Sequence, residues 1–110
     1  MPLNNRSRKP PRFPLGQVCI TPNVLAVLER LNIRPITLLQ RHLQGDWGEL
    51  DPEDIEANEE ALREGYRLLS CYRLPLQSDA NETGTTEGVK VWIITEADRS
   101  ITTLLLPEDY

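Results

Sequence analysis

At Gly65 the apolar pattern of this chain changes its period, and that change constrains the fold more than any other feature. Upstream, apolar residues recur at spacings of three and four in segments opening at Pro22, Pro35 and Pro52, where a helix tolerates proline because the first N–H has no partner within the helix. Thr21 suits an N-cap, Val24, Leu25, Leu28 and Leu31 mark a buried stripe, and Asn32 suits the left-handed position after a helix. The second helix has Ile36, Leu38, Leu39 and Leu43 inward and stops at Gly45. The third starts with Asp51, Glu53 and Asp54 on the positive end of the helix dipole, turns Ile55, Ala61 and Leu62 inward, pairs Glu59 with Arg63, and closes at Gly65. Beyond Gly65, residues 66–74, 89–96 and 100–106 read as strands. The expected fold class is α+β: about three helices followed by a three-stranded antiparallel β-meander, with the helices on one face. The connection around Ala97-Asp98-Arg99 is a tight hairpin turn, whereas residues 77–88 form a polar loop, long for a hairpin and expected to be mobile. The run Gln17-Val18-Cys19-Ile20 fits either an edge strand or a packed extended lead-in.

Charge divides the chain in two. Arg6, Arg8, Lys9 and Arg12 crowd a proline-rich start with almost no apolar content, so residues 1–12 are expected to be a disordered basic arm and residues 13–110 a single domain. Residues 46–64 hold nine carboxylates against the single Arg63, and the net charge is -5. An acidic body repels phosphate backbones and argues against nucleic acid as a partner. No apolar stretch is long enough to cross a bilayer, and Pro10, Pro11 and Pro14 stand where an export signal needs its apolar core, so a cytoplasmic location is expected. Cys19 and Cys71 sit apart in apolar contexts, which favours buried reduced thiols over a disulfide. The triplet Asn81-Glu82-Thr83 matches a glycosylation acceptor by chance in a chain without an export route.

Two further runs carry a resemblance: Gly45-Asp46-Trp47-Gly48-Glu49-Leu50-Asp51-Pro52 and Val91-Trp92-Ile93-Ile94-Thr95-Glu96-Ala97-Asp98-Arg99-Ser100. With Phe13-Pro14-Leu15-Gly16-Gln17 and the closing Leu104-Leu105-Leu106-Pro107-Glu108-Asp109-Tyr110, they make the chain resemble a family of small plasmid-related proteins from bacterial plasmids and integrated mobile elements. The resemblance implies a mobile-element setting and no particular reaction. Some relatives carry a label tying them to the modification subunit of type I restriction enzymes. A chain of 110 residues has no room for a methyltransferase domain, and no Asn-Pro-Pro-aromatic or Asp-Pro-Pro-aromatic run is present. The long loop at 77–88 also departs from the shorter turn of the relatives, so a site there would not be shared with them.

Candidate residues divide into two sets. For binding, the set is Trp47, Tyr72, Trp92, Asp98 and Arg99: aromatic and arginine side chains anchor protein interfaces, and a meander whose second face stays apolar offers one. Three of them also have a structural role to fill: Trp47 beside Gly45 and Gly48 would cross an apolar gap with its indole N–H on a carbonyl, and Asp98-Arg99 would make the turn. For catalysis the alternative set is His42, Arg67, Tyr72 and Arg99, as in small RNases, although His42 in the last turn of its helix is explained by capping alone. Asn58 falls inside the buried stripe of the third helix and needs partners, supplied by strand or loop backbone or, as the alternative, by a ligand. One histidine and two separated cysteines offer no zinc spacing, and no phosphate loop, dinucleotide fingerprint or nucleophile elbow occurs, so neither metal nor cofactor is expected. The leading expectation is a non-enzymatic accessory or regulatory module that binds an unidentified protein partner, with a homodimer left open. The alternatives are a small RNase-like toxin and a DNA-binding regulator using Arg34, Gln40, Arg41 and Gln44.

Overall fold

The computed structural model describes residues 10–75 and 88–110; all but the last residue of the loop 77–88, whose mobility is expected, and the Asn81 triplet lie outside the described residues, as does most of the N-terminal arm. Elements follow in the order β1 (Gln17–Ile20), α1 (Pro22–Leu31), α2 (Pro35–Leu43), α3 (Pro52–Glu64), β2 (Leu68–Leu74), β3 (Val89–Thr95), β4 (Ile101–Leu105) and a closing 3-10 turn (Pro107–Asp109). The fold is α+β, and the meander is corrected in one respect. The sheet has four strands in the order β1-β4-β3-β2, because Gln17–Ile20 pairs in parallel with β4 while β4, β3 and β2 run antiparallel. Parallel pairing requires a crossover, and the three helices supply it on one face of the sheet.

Local chemistry accounts for the helix limits. The Thr21 hydroxyl accepts the Val24 N–H at 3.3 Å, Pro22 opens α1, and Asn32 ends it in the left-handed region with φ 62°. The α2 C-cap is Gln44 rather than Gly45, and α3 closes at Gly65 with φ 83°. The stripes are rotated from expectation at three points. Leu25, Ile36 and Ile55 are exposed, while Val27 and His42 take buried places. Nor does Glu59 pair with Arg63: its carboxylate receives both Arg12 guanidinium nitrogens at 2.8 and 3.0 Å. Arg12, assigned above to the arm, is thus fastened to α3, and its N–H also reaches the Leu43 carbonyl at 2.9 Å.

Side chains alternate across the strands, so Leu68, Ser70, Tyr72 and Leu74 of β2, Val91, Ile93 and Thr95 of β3, and Thr102 and Leu104 of β4 face the helices. They pack in two clusters. The larger lies under α1 and α2, and the smaller gathers Phe13, Trp47, Ala61 and Leu68 beside α3. The outer edge of β2 is closed by the turn after α2. Glu49 N–H donates to the Cys71 carbonyl at 2.7 Å, Cys71 N–H donates to the Trp47 carbonyl at 3.0 Å, and Gly48 bridges Cys71. Gly48 sits at φ 80°, and a Cβ there would overlap the Cys71 carbonyl, so only glycine permits this approach.

Asn58 is the polar bolt between α3 and the sheet. Its amide nitrogen donates to the Leu69 carbonyl at 2.6 Å and its amide oxygen accepts the Leu69 N–H at 3.2 Å, as its place in the stripe demanded. Asn58→Leu should cost about 2–4 kcal/mol, because two buried backbone groups lose their partners while apolar area is kept. Denaturant midpoints measure that cost, and amide exchange should accelerate at Leu69 first; an unchanged midpoint would show that water replaces the amide.

Candidate functional site

Segments far apart in sequence meet at His42. Helix α2 carries it inward, β2 brings Ser70, and the paired strands β3 and β4 bring Thr95 opposite Thr102; all four side chains are fully excluded from solvent. The imidazole does not cap its helix, as its position in the last turn suggested. Nδ1 lies 2.6 Å from the Ser70 hydroxyl and Nε2 lies 2.9 Å from the Thr95 hydroxyl. Phe13 meets the ring edge-on at 5.1 Å between centroids and Trp47 does so at 5.7 Å, closing an aromatic box around it.

The direction of each hydrogen bond follows from the far end. The Leu15 carbonyl can only accept, and Thr102 Oγ1 donates to it at 2.7 Å. With that proton committed, Thr102 must accept from Thr95 Oγ1 at 2.7 Å, so Thr95 must accept from His42 Nε2–H. In the neutral ring that burial favours, Nδ1 is then the bare nitrogen and accepts from the Ser70 hydroxyl. His42 is therefore assigned as the neutral Nε2-protonated tautomer on the hydrogen-bond network. Burial first, then the nearby Arg99 guanidinium, lowers its pKa from 6.5 to about 4. A wholly buried ring whose two nitrogens bond hydroxyls of the core has no place beside it for a reacting atom.

The remaining candidates are placed as follows. Trp47 is buried, and its indole N–H donates to Glu59 Oε2 at 3.0 Å, a carboxylate in place of the expected carbonyl. Tyr72 is a correction: it lies in the core on the helix face, with its hydroxyl donating to the Asp46 carbonyl at 2.7 Å and Arg41 stacked 4.4 Å from its ring centroid. Burial pushes its phenol well above the usual range. Arg99 is half-buried at φ 62° and is spent on backbone. Its guanidinium donates to the carbonyls of Tyr66 at 2.7 Å, Glu96 at 3.0 Å, Ala97 at 3.2 Å and Ala61 at 3.0 Å, clamping the last turn of α3 to the β3–β4 hairpin. Asp98 stabilises the same turn by accepting from the Ser100 N–H at 3.0 Å and hydroxyl at 2.6 Å. The alternative catalytic set does not converge, because Arg67 lies exposed across the sheet from the buried His42 and donates to Glu96 at 3.4 Å and to the Tyr110 hydroxyl at 3.1 Å.

Trp92 alone of the binding set stands on the outer face of the sheet. The Tyr110 ring meets it edge-on at 5.8 Å, an element that sequence reasoning missed although both residues sit in the resembling motifs. A shallow recess beside them is lined by Arg67, Ile94, Glu96, Thr103, Leu105 and Tyr110. Among the described residues no group of three or more histidine, cysteine or acidic side chains is placed to hold a metal ion, both cysteines are free thiols, and no helix is long and apolar enough to cross a membrane. No family model matches the chain, and neither a curated protein nor a solved structure matches it.

The lowered pKa of His42 makes an acid prediction whose sign follows from linkage. The unfolded chain binds the proton more tightly than the folded one, so stability that is complete above pH 6.5 is lost as pH falls toward 4, by about 3 kcal/mol. Glu59, held below the usual carboxylate range by Arg12 and then Trp47, adds its own loss only below pH 4.5. Urea midpoints between pH 7 and 4.5 should therefore fall in the wild type and stay flat in His42→Gln, which accepts and donates without titrating. Equal slopes in the two proteins would refute the buried neutral ring. Trp47→Ala should cost about 3–5 kcal/mol in the same assay, and a loss under about 0.5 kcal/mol would mark a surface residue.

Proposed function

We propose that this protein is a non-enzymatic accessory or regulatory module of a bacterial mobile element, and that it binds a protein partner on the outer face of its sheet around Trp92. One observation carries the reading: the helices all pack on the opposite face, while the outer face presents a half-buried Trp92 against the exposed ring of Tyr110. Tyr110 is 73% exposed and Ile101 is 37% exposed. Around the pair, Arg67 bonds Tyr110 and Glu96, and Arg73 bonds Glu49, which gives the apolar centre a polar rim. An aromatic centre with a charged rim is the usual anatomy of a protein interface. The mobile-element setting comes from the family resemblance. Tyr72 and Arg99 are no longer assigned to the surface, because the first is core and the second is a backbone clamp.

Trp92→Ala should abolish capture of the partner from the native host while leaving the thermal transition within a few degrees of wild type, since Trp92 is only half-buried and its ring partner is the exposed Tyr110. Pull-down with matched amounts of folded wild type and variant measures this. A partner retained at equal yield by Trp92→Ala would remove the surface. Growth arrest on expression, relieved by Arg67→Ala at unchanged folded protein, would replace this function with the RNase-like one.

A further inference from the structure

The two edges of the sheet are treated differently. The β2 edge is paired with the Trp47–Gly48–Glu49 turn, whereas among the described residues nothing pairs with the outer edge of β1. Within a parallel pair the backbone groups of successive residues point to alternate sides. Gln17 N–H donates to the Ser100 carbonyl at 2.8 Å and Thr21 N–H to the Leu104 carbonyl at 3.1 Å, so the N–H and C=O groups of Val18 and Ile20 point outward. Edge strands are ordinarily guarded by lysine, proline or a bulge. The sequence Gln17-Val18-Cys19-Ile20 contains none, and Val18 is 39% exposed.

We propose that β1 is a self-association edge, and that a second copy of this chain docks on it antiparallel, about a twofold axis through Cys19. Two features select a second copy. The free groups are self-complementary: Val18 of one copy faces Ile20 of the other, each exchanging both N–H···O bonds, and the same pair recurs across the axis. The strand β1 also carries no charged side chain in a chain of net charge -5, and the acidic helix α3 packs on β2, at the opposite edge of the sheet. Two copies can thus meet with their acidic α3 helices at opposite ends of the joined sheet. Val18 and Ile20 of the two copies would cover each other on the helix side. Association would join two four-stranded sheets into one and set two Trp92 faces on the same side, although it rests on nothing said of Trp92.

The register makes one atom-level demand. Cys19 of each copy becomes a non-hydrogen-bonded cross-strand pair, with Cα atoms about 4.5 Å apart, inside the range a disulfide spans. Cys71 is buried and cannot substitute. The seam is short, so the dissociation constant should be weak, on the order of 0.1 mM. Sedimentation equilibrium of the full chain should show a concentration-dependent dimer. Diamide, which takes up the two electrons and two protons lost by two thiols, should cross-link wild type and not Cys19→Ser. Val18→Pro removes an N–H that bonds nothing within one copy and should raise the dissociation constant at least tenfold, whereas Trp92→Ala should leave it unchanged. A monomer at every concentration up to about 1 mM, or a dimer that does not cross-link through Cys19, overturns the proposal, and the cross-link decides even if Val18→Pro fails to fold.

Discussion

A carbonyl that can only accept organises the interior of this protein. The Leu15 oxygen takes the Thr102 proton, and from there each hydroxyl has one remaining option until the imidazole itself is fixed. The consequences reach past His42. Thr95 must stand opposite Thr102, and a one-residue slip between β3 and β4 would turn one of the two hydroxyls to the other face and break the pair. The relay therefore specifies strand register, seats the segment before β1 and aligns α2 over β2. Among the described residues no buried side-chain nitrogen or oxygen lacks a partner, which is the condition under which a polar core orders a fold instead of weakening it.

Cations do similar work at the periphery. Arg99 gathers four carbonyls where α3 ends, Arg12 grips Glu59, and Arg41 lies over Tyr72 while its Nε donates to Asp46 at 2.7 Å. The exposed pairs contribute little energy one by one. Their effect is geometric: Glu59 is oriented by Arg12 to receive the Trp47 indole, and Asp46 is oriented to receive the Gly48 N–H at 3.2 Å. Arg12, Arg41, Arg67, Arg73 and Arg99, which look available for phosphate or substrate in a bare sequence, are already engaged within the fold.

Much of the fold was legible because its signals are local. Prolines at the first helical turn, the left-handed Asn32 and Gly65, and the loss of helical period after Gly65 depend on neighbours within a few residues. Asn58 was legible for a related reason, since an amide inside an apolar stripe must find partners. The parallel partner of β1 was hidden, because it lies some eighty residues away and short runs such as Gln17–Ile20 carry no mark of what they pair with. His42 left a signal that went unused. It stands three residues after Leu39 and four after Leu38, on the buried stripe, so core burial could have been favoured over capping. Tyr72 likewise alternates with Leu68, Ser70 and Leu74, which placed it inward. The role of Arg99 was beyond local reasoning, because the Ala61 carbonyl it clamps belongs to a helix that ends thirty-odd residues earlier.

Gly48 has a significance at a larger scale than its turn. A sheet with one open edge can at most form a closed pair, because joining two such edges leaves none. The close approach that only glycine permits is what keeps the β2 edge shut. A side chain at that position would strip the turn from β2 and leave its edge held only by Asn58 at Leu69, and a particle with two sticky ends no longer stops at two. If β1 pairs with β1 as proposed, a second open edge would let such pairs join one another without closure, so the missing methyl group of Gly48 guards against open-ended growth.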